Sequence, residues 1–92
     1  MTLGRAHIVI EGRVQGVYYR ASLKEAAEGF GLKGWVRNLP GGDVEAVVEG
    51  DESAIEALVE WCWKGPPYAA VDNVTVEPGV PLGDFDTFLI LR

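Results

Sequence analysis

The feature that most constrains this chain is the order in which its hydrophobic periodicity changes. Arg5 to Glu11 carries a β-branched run through His7-Ile8-Val9-Ile10 and reads as a strand. Residues 21 to 30 switch to helical spacing, with Leu23, Ala26, Ala27 and Phe30 on one face. Ser22-Leu-Lys-Glu25 fits a capping box, and fits equally the first turn of a helix that begins nearer Tyr19. Gly29 and Gly31 stop that helix. Gly34 to Asn38 is a short strand and Leu39-Pro40-Gly41-Gly42 a turn. Asp43 to Glu49 then alternates: Val44, Ala46 and Val48 face one way, Glu45, Val47 and Glu49 the other. Asp51 is placed to cap a second helix, whose buried stripe is Ile55, Leu58, Val59 and Cys62. Trp63 is expected to pack beside that stripe and Trp61 to point away. Gly65-Pro66-Pro67 ends the helix. Ala70 to Glu77 reads as a strand, Pro78 to Asp84 as a turn-rich connection, and Phe85 to Leu91 as a final strand.

The order is β-α-β-β-α-β with a terminal strand. It predicts an α/β (α+β) fold: a ferredoxin-like βαββαβ sandwich, with two helices on one face of a four- to five-stranded antiparallel sheet. Ninety-two residues suit a single domain, 1–92, with a modest core. A composition of 48% hydrophobic and 24% charged residues is ordinary for a globular chain. One cysteine excludes an internal disulfide and a cysteine-built metal site. No apolar run reaches the length of a bilayer span, and the N-terminus has no signal-peptide pattern. These features favour a cytoplasmic setting. The formal charge of −6 argues against nucleic acid as a partner, because that use needs a cationic footprint.

Several chemical motifs fail on context. Gly29-Phe-Gly31-Leu-Lys-Gly34 matches GxGxxG, but it follows a helix and opens a strand, the reverse of a dinucleotide site. Asp84-Phe-Asp86-Thr87 has neither the spacing nor the doubly wound sheet of an aspartyl phosphatase. Cys62 lies on an apolar stripe and reads as core. His7, the one histidine, reads as structural.

The stretch Gly12-Arg-Val-Gln-Gly-Val-Tyr-Tyr-Arg20 links the first strand to the first helix. A run of main-chain N–H groups curling into a helix N-terminus makes a concave anion site, and the helix dipole adds positive character. Gly12 and Gly16 permit positive φ and close approach of an anion. Arg20 brings a planar fork of donors suited to phosphate or carboxylate. Two glycines and an arginine also suit a plain connecting loop with a surface arginine, and local chemistry alone leaves both readings open.

Gly12-x-Val14-Gln15-Gly16-Val17-x-x-Arg20 closely resembles the signature of the acylphosphatase family. A second signature of that family is similar to Gly34-Trp35-Val36-Arg37-Asn38 followed by Gly42-Asp43-Val44-Glu45. A looser third match is Gly65-Pro66-Pro67 with Ala70-Val71-Asp72-x-Val74. The matches keep the family's order and spacing over essentially the whole chain. The resemblance implies the same sandwich and the hydrolysis of acyl phosphates without metal or cofactor. It implies phosphate binding by Gln15, Gly16, Val17, Tyr18 and Tyr19 through main-chain N–H groups, and by the Arg20 guanidinium. It implies catalytic roles for Arg20 and for Asn38, which would hold the attacking water. Two departures stand out. Tyr19 replaces the usual phenylalanine, which is expected to add a hydroxyl near the site, and Ala70 stands where many members carry arginine.

The expected partners are a small acyl phosphate substrate and inorganic phosphate or another small anion. No membrane is expected, and a monomer is. The strands that would stack bases in an RNA-recognition domain, HIVIEG and VEAVVEG, have no aromatics and several glutamates. A catalytically idle anion-binding domain of the same fold is the alternative. Related domains occur within larger carbamoyl-transfer proteins, and this chain is expected to be free-standing.

Overall fold

The computed structural model describes residues 2–92. Its elements are β1 (Leu3–Arg13), α1 (Tyr19–Gly29), β2 (Lys33–Asn38), β3 (Val44–Asp51), α2 (Glu52–Lys64), β4 (Ala70–Gly79) and β5 (Phe88–Ile90). The strands form one sheet in the order β4-β1-β3-β2-β5. Each helix carries the chain past one strand of the sheet: α1 from β1 past β3 to β2, and α2 from β3 past β1 to β4. The expected sandwich is therefore present.

Its sheet is mixed rather than antiparallel. β1 pairs antiparallel with β3 and β4, and β2 pairs antiparallel with β3, but β5 runs parallel to β2. The reason is the path after β4. The chain leaves one edge of the sheet, crosses the face without helices, and adds β5 at the opposite edge. Glu49 pins this crossing strap, accepting hydrogen bonds from Leu82 N–H (2.9 Å), Gly83 N–H (3.1 Å) and the Arg5 guanidinium.

Alternation on β1 puts Ala6, Ile8 and Ile10 on the helix side, opposite Val48, Ala46 and Val44 of β3. With Val36, Leu23, Ala27, Leu58 and Cys62 they make one buried cluster. Full burial of a side chain such as Ile8 or Leu58 contributes about 2 kcal/mol. Asp51 caps α2, accepting from Ser53 N–H at 3.4 Å, as its position suggested.

Some local expectations change. α1 starts at Tyr19, so Ser22 sits in its first turn and does not cap it. Phe30 lies beyond the helix and is 41% exposed instead of joining the core. Trp61 and Trp63 exchange places: Trp61 packs against the Tyr19 ring, centroids 5.5 Å apart, while Trp63 is half exposed. β4 extends through Pro78 to Gly79, which an edge strand tolerates because its outer amides need no partner. The last strand is shorter than Phe85 to Leu91, with Phe88 filling the core and Leu89 and Ile90 partly exposed.

Candidate active site

The β1–α1 loop and the end of β2 meet at one edge of the sandwich. Gln15, Gly16, Tyr18, Tyr19, Arg20 and Asn38 line the same pocket of ≈ 360 Å³, closed on one side by Ile90 of β5. Val17 turns toward the core and packs against it. A larger groove of ≈ 940 Å³ lies between α1 and α2, but none of the expected catalytic or phosphate-binding residues lines it.

The loop has the backbone form of an anion nest. Gly16 has φ 74° and Tyr18 φ 62°, while Val17 between them has negative φ. Such alternation of hand turns successive N–H groups toward one concavity. Nothing lies within 4 Å of a Cβ built on Gly16, so the backbone conformation, not crowding, calls for glycine there. Tyr18 adopts the left-handed region without being glycine, at a cost of about 1 kcal/mol or more. Gly12 has a different task from the one expected. It sits at a bulge in β1, where a Cβ would come 2.2 Å from the Ala70 carbonyl oxygen, so it serves the β1–β4 contact and not the anion.

The start of α1 is left open. Tyr18 precedes the helix but supplies no side-chain cap, and the first turn has no acidic residue. Among the described residues, no main-chain carbonyl accepts from the N–H groups of Gln15 through Ala21. Such amides need a partner from outside the chain. The Arg20 side chain shares the pocket wall with them, its Nη1 donating to the Leu91 carbonyl oxygen at 3.5 Å. Arg20 forms no ion pair among the described residues and is the one charged side chain on the pocket wall. On a chain of net charge −6, the pocket is therefore locally cationic.

Asn38 completes the wall. Its Oδ1 is buried and has no hydrogen-bond partner. Buried acceptors are nearly always satisfied in folded proteins, so an orphan on a residue that lines a pocket calls for a water or ligand donor.

A family model described as Acylphosphatase matches residues 6–90. This chain belongs to the acylphosphatase family. It is 56% identical over 86 residues to an acylphosphatase of Anaeromyxobacter dehalogenans, covering 94% of this chain and 92% of that one. It is 49% identical over 90 residues to an acylphosphatase of Pelotomaculum thermopropionicum, covering 98% of both. Among solved structures, an acylphosphatase from Coxiella burnetii superposes with a TM-score of 0.92 at 44% identity, covering 97% of this chain and 93% of that chain. That of Bacillus subtilis gives 0.93 at 34% identity, covering 99% and 100%.

Within this acylphosphatase pocket the sequence expectation for Tyr19 needs correction. Its main chain lines the site, but its ring is buried in the core and its hydroxyl donates to the Cys62 carbonyl oxygen at 2.7 Å. Burial pushes the Tyr19 hydroxyl far above its usual pKa and the Cys62 thiol up to about 12. Neither group is available for acid–base work. The sequence reading missed Ile90, the Leu91 carbonyl and the Ala21 N–H. Ile90 and Leu91 carry no motif because β5 reaches the site only through the strap, and Ala21 follows the motif's last residue in the first turn of α1.

Proposed function

We propose that the loop amides of Gln15 to Tyr19, with the Arg20 guanidinium, hold the phosphoryl group of an acyl phosphate, and that Asn38 holds the attacking water. Family membership makes the reaction the hydrolysis of an acyl phosphate to a carboxylate and inorganic phosphate. The observation that carries the assignment of roles is the convergence on one pocket of unpartnered donors and a single unpartnered acceptor.

The chemistry suits so sparse a site. The acyl carboxylate leaves with a conjugate-acid pKa of about 4, so it departs at neutral pH without a general acid. Phosphoryl transfer needs positioning and charge stabilisation above all. The nest and Arg20 meet the equatorial oxygens, whose charge rises toward the transition state. Asn38 Oδ1 accepts one water proton and so aims the oxygen lone pair at phosphorus. An amide cannot remove a proton, so the water's other proton passes to a phosphoryl oxygen as the new P–O bond forms and the bond to the acyl oxygen breaks. His7 lies on the other side of the sheet, bonded to Glu45 at 2.7 Å, and takes no part.

An alkyl phosphomonoester needs a proton on its leaving oxygen, and among the described residues no carboxyl, imidazole or thiol lines this pocket to give one. The purified protein is expected to hydrolyse an acyl phosphate at least about 10²-fold faster than an alkyl phosphate, the scale of general acid catalysis. Equal rates on both would overturn the reading. No observation favours an idle domain: the pocket is open, and its loop amides and the Asn38 oxygen are unsatisfied. We also read residues 1–92 as one domain acting as a cytoplasmic monomer, since the free, buried Cys62 thiol suits a reducing compartment.

A further inference from the structure

The Gln15 side chain points away from the phosphate nest, into the turn that follows Asn38. Its Nε2 lies 2.8 Å from the Leu39 carbonyl oxygen and 2.8 Å from the Asp43 carbonyl oxygen. Both neighbours are acceptors only, so the NH₂ end of the amide must face them, and both of its hydrogens are used. The same carbonyls close the turn itself: Leu39 N–H donates to Asp43 O at 2.8 Å, and Gly42 N–H donates to Leu39 O at 3.3 Å. The turn between β2 and β3 is thus cross-linked through one side chain to the loop that carries the nest.

We infer that Gln15 is a positioning residue for Asn38: its side-chain amide ties the Leu39–Asp43 turn to the nest and so sets the distance between the held water and the phosphoryl group. This rests on the roles given above to Asn38 and the nest. The geometry argues for it in two ways. Asn38 is the last residue of β2, and Leu39, its chain neighbour, is one of the two anchors. Strand pairing holds Asn38 opposite Val44 on one side, but its orphan Oδ1 has nothing of its own to fix it. The nest and the Asn38 amide come from different elements, and in-line attack tolerates little relative displacement. Gln15 bridges those two elements directly.

The test separates positioning from folding and from anion binding. Gln15→Met keeps length and removes both donors. It is expected to lower kcat by about 10- to 100-fold, the cost of a small misplacement at the reacting centre, with little change in competitive inhibition by inorganic phosphate. Combined with Asn38→Ala it should add almost nothing to the loss from Asn38→Ala alone, because both changes remove the same aimed water. Gln15→Glu adds a readout that general destabilisation would not move. Its carboxylate would face two carbonyl oxygens, whereas the protonated acid can donate to one, so its activity relative to wild type should rise as pH falls. Unchanged kcat in a folded Gln15→Met protein overturns the inference, as does full additivity with Asn38→Ala. Loss of phosphate inhibition in step with kcat does so too, by assigning the side chain to the nest. If Asn38→Ala itself keeps wild-type turnover, the water-holding role has failed instead.

Discussion

The two ends of the polar chemistry in this molecule are built on opposite rules. On the helix-free face the shielded carboxylates are answered. Glu49 takes three donors, from Arg5, Leu82 and Gly83, and Glu45 takes His7 and Arg37. At the pocket the chain leaves amides and an asparagine oxygen without partners and a guanidinium without a counter-charge, and holds Tyr18 in a strained backbone form. A satisfied network stabilises the fold and has nothing left for a ligand. An unsatisfied one costs stability and binds. Substitutions should therefore separate cleanly: at the pocket they remove activity and spare the fold, and on the sheet face they do the reverse.

The largest break is expected at Arg20. Arg20→Ala should lower kcat/KM by about 10³-fold or more, the scale on which an arginine stabilises phosphoryl charge, and should abolish inhibition by inorganic phosphate. Asn38→Ala should lower kcat by about 10²-fold while phosphate inhibition survives, because an amide that only aims water contributes little to holding the anion. Neither change should reduce the urea midpoint greatly. Removing the orphan Oδ1 is expected to be neutral or slightly stabilising, since it deletes a buried acceptor that has no partner. Steady-state kinetics beside urea unfolding checks both. A strong loss of stability with either variant would mean that the pocket groups serve the fold.

Glu49 tests the other side. Burial pushes its carboxyl up, but the donated hydrogen bonds from Leu82, Arg5 and Gly83 and the Arg5 charge outweigh that, and its pKa falls below the ordinary carboxylate value. Glu45 is lowered too, because the hydrogen bonds from His7 and Arg37 and their charges overcome its burial. A depressed carboxyl contributes stability above its unfolded pKa and loses it as pH falls through the folded one. Glu49→Gln should therefore cost about 2 kcal/mol at pH 7, the scale of hydrogen bonds to a charged group. The gap to wild type should begin to close as pH falls past the unfolded carboxylate value of about 4 and should vanish only below the depressed folded value, where both side chains are neutral. Turnover per folded molecule should be unchanged. A gap that stays constant down to low pH would remove the carboxylate charge from the account.

The same contrast explains what could be read from the chain. Element order, the α2 stripe and the Asp51 cap follow from spacing and local chemistry, and the structure keeps them. Where tertiary path decides, spacing was silent. Nothing within Phe88–Ile90 sets its direction; the strap across the sheet does. Trp61 and Trp63 flank Cys62 with similar claims on the helix interior, and the Tyr19 ring selects Trp61. Site residues were legible as types in a motif. The orphan Oδ1 and the Gln15 bridge are facts of convergence, and no single segment holds them.

Tyr19 offers the smallest effect, because it stands on the boundary between the two kinds of region. Its main chain belongs to the pocket and its hydroxyl to the core. The Cys62 carbonyl lies in the last turn of α2, where main-chain oxygens run out of helical partners. The neighbouring Trp61 carbonyl is answered by Gly65 N–H at 2.7 Å, and that of Cys62 by the tyrosine hydroxyl. Tyr19→Phe restores the ring usual in the resemblance and leaves that carbonyl buried without a donor. It should cost about 1–2 kcal/mol in urea unfolding and leave kcat and phosphate inhibition within twofold of wild type. A selective fall in kcat with stability intact would return the hydroxyl to the site, and the boundary between paired fold and unpaired pocket would then have to be drawn on the other side of this residue.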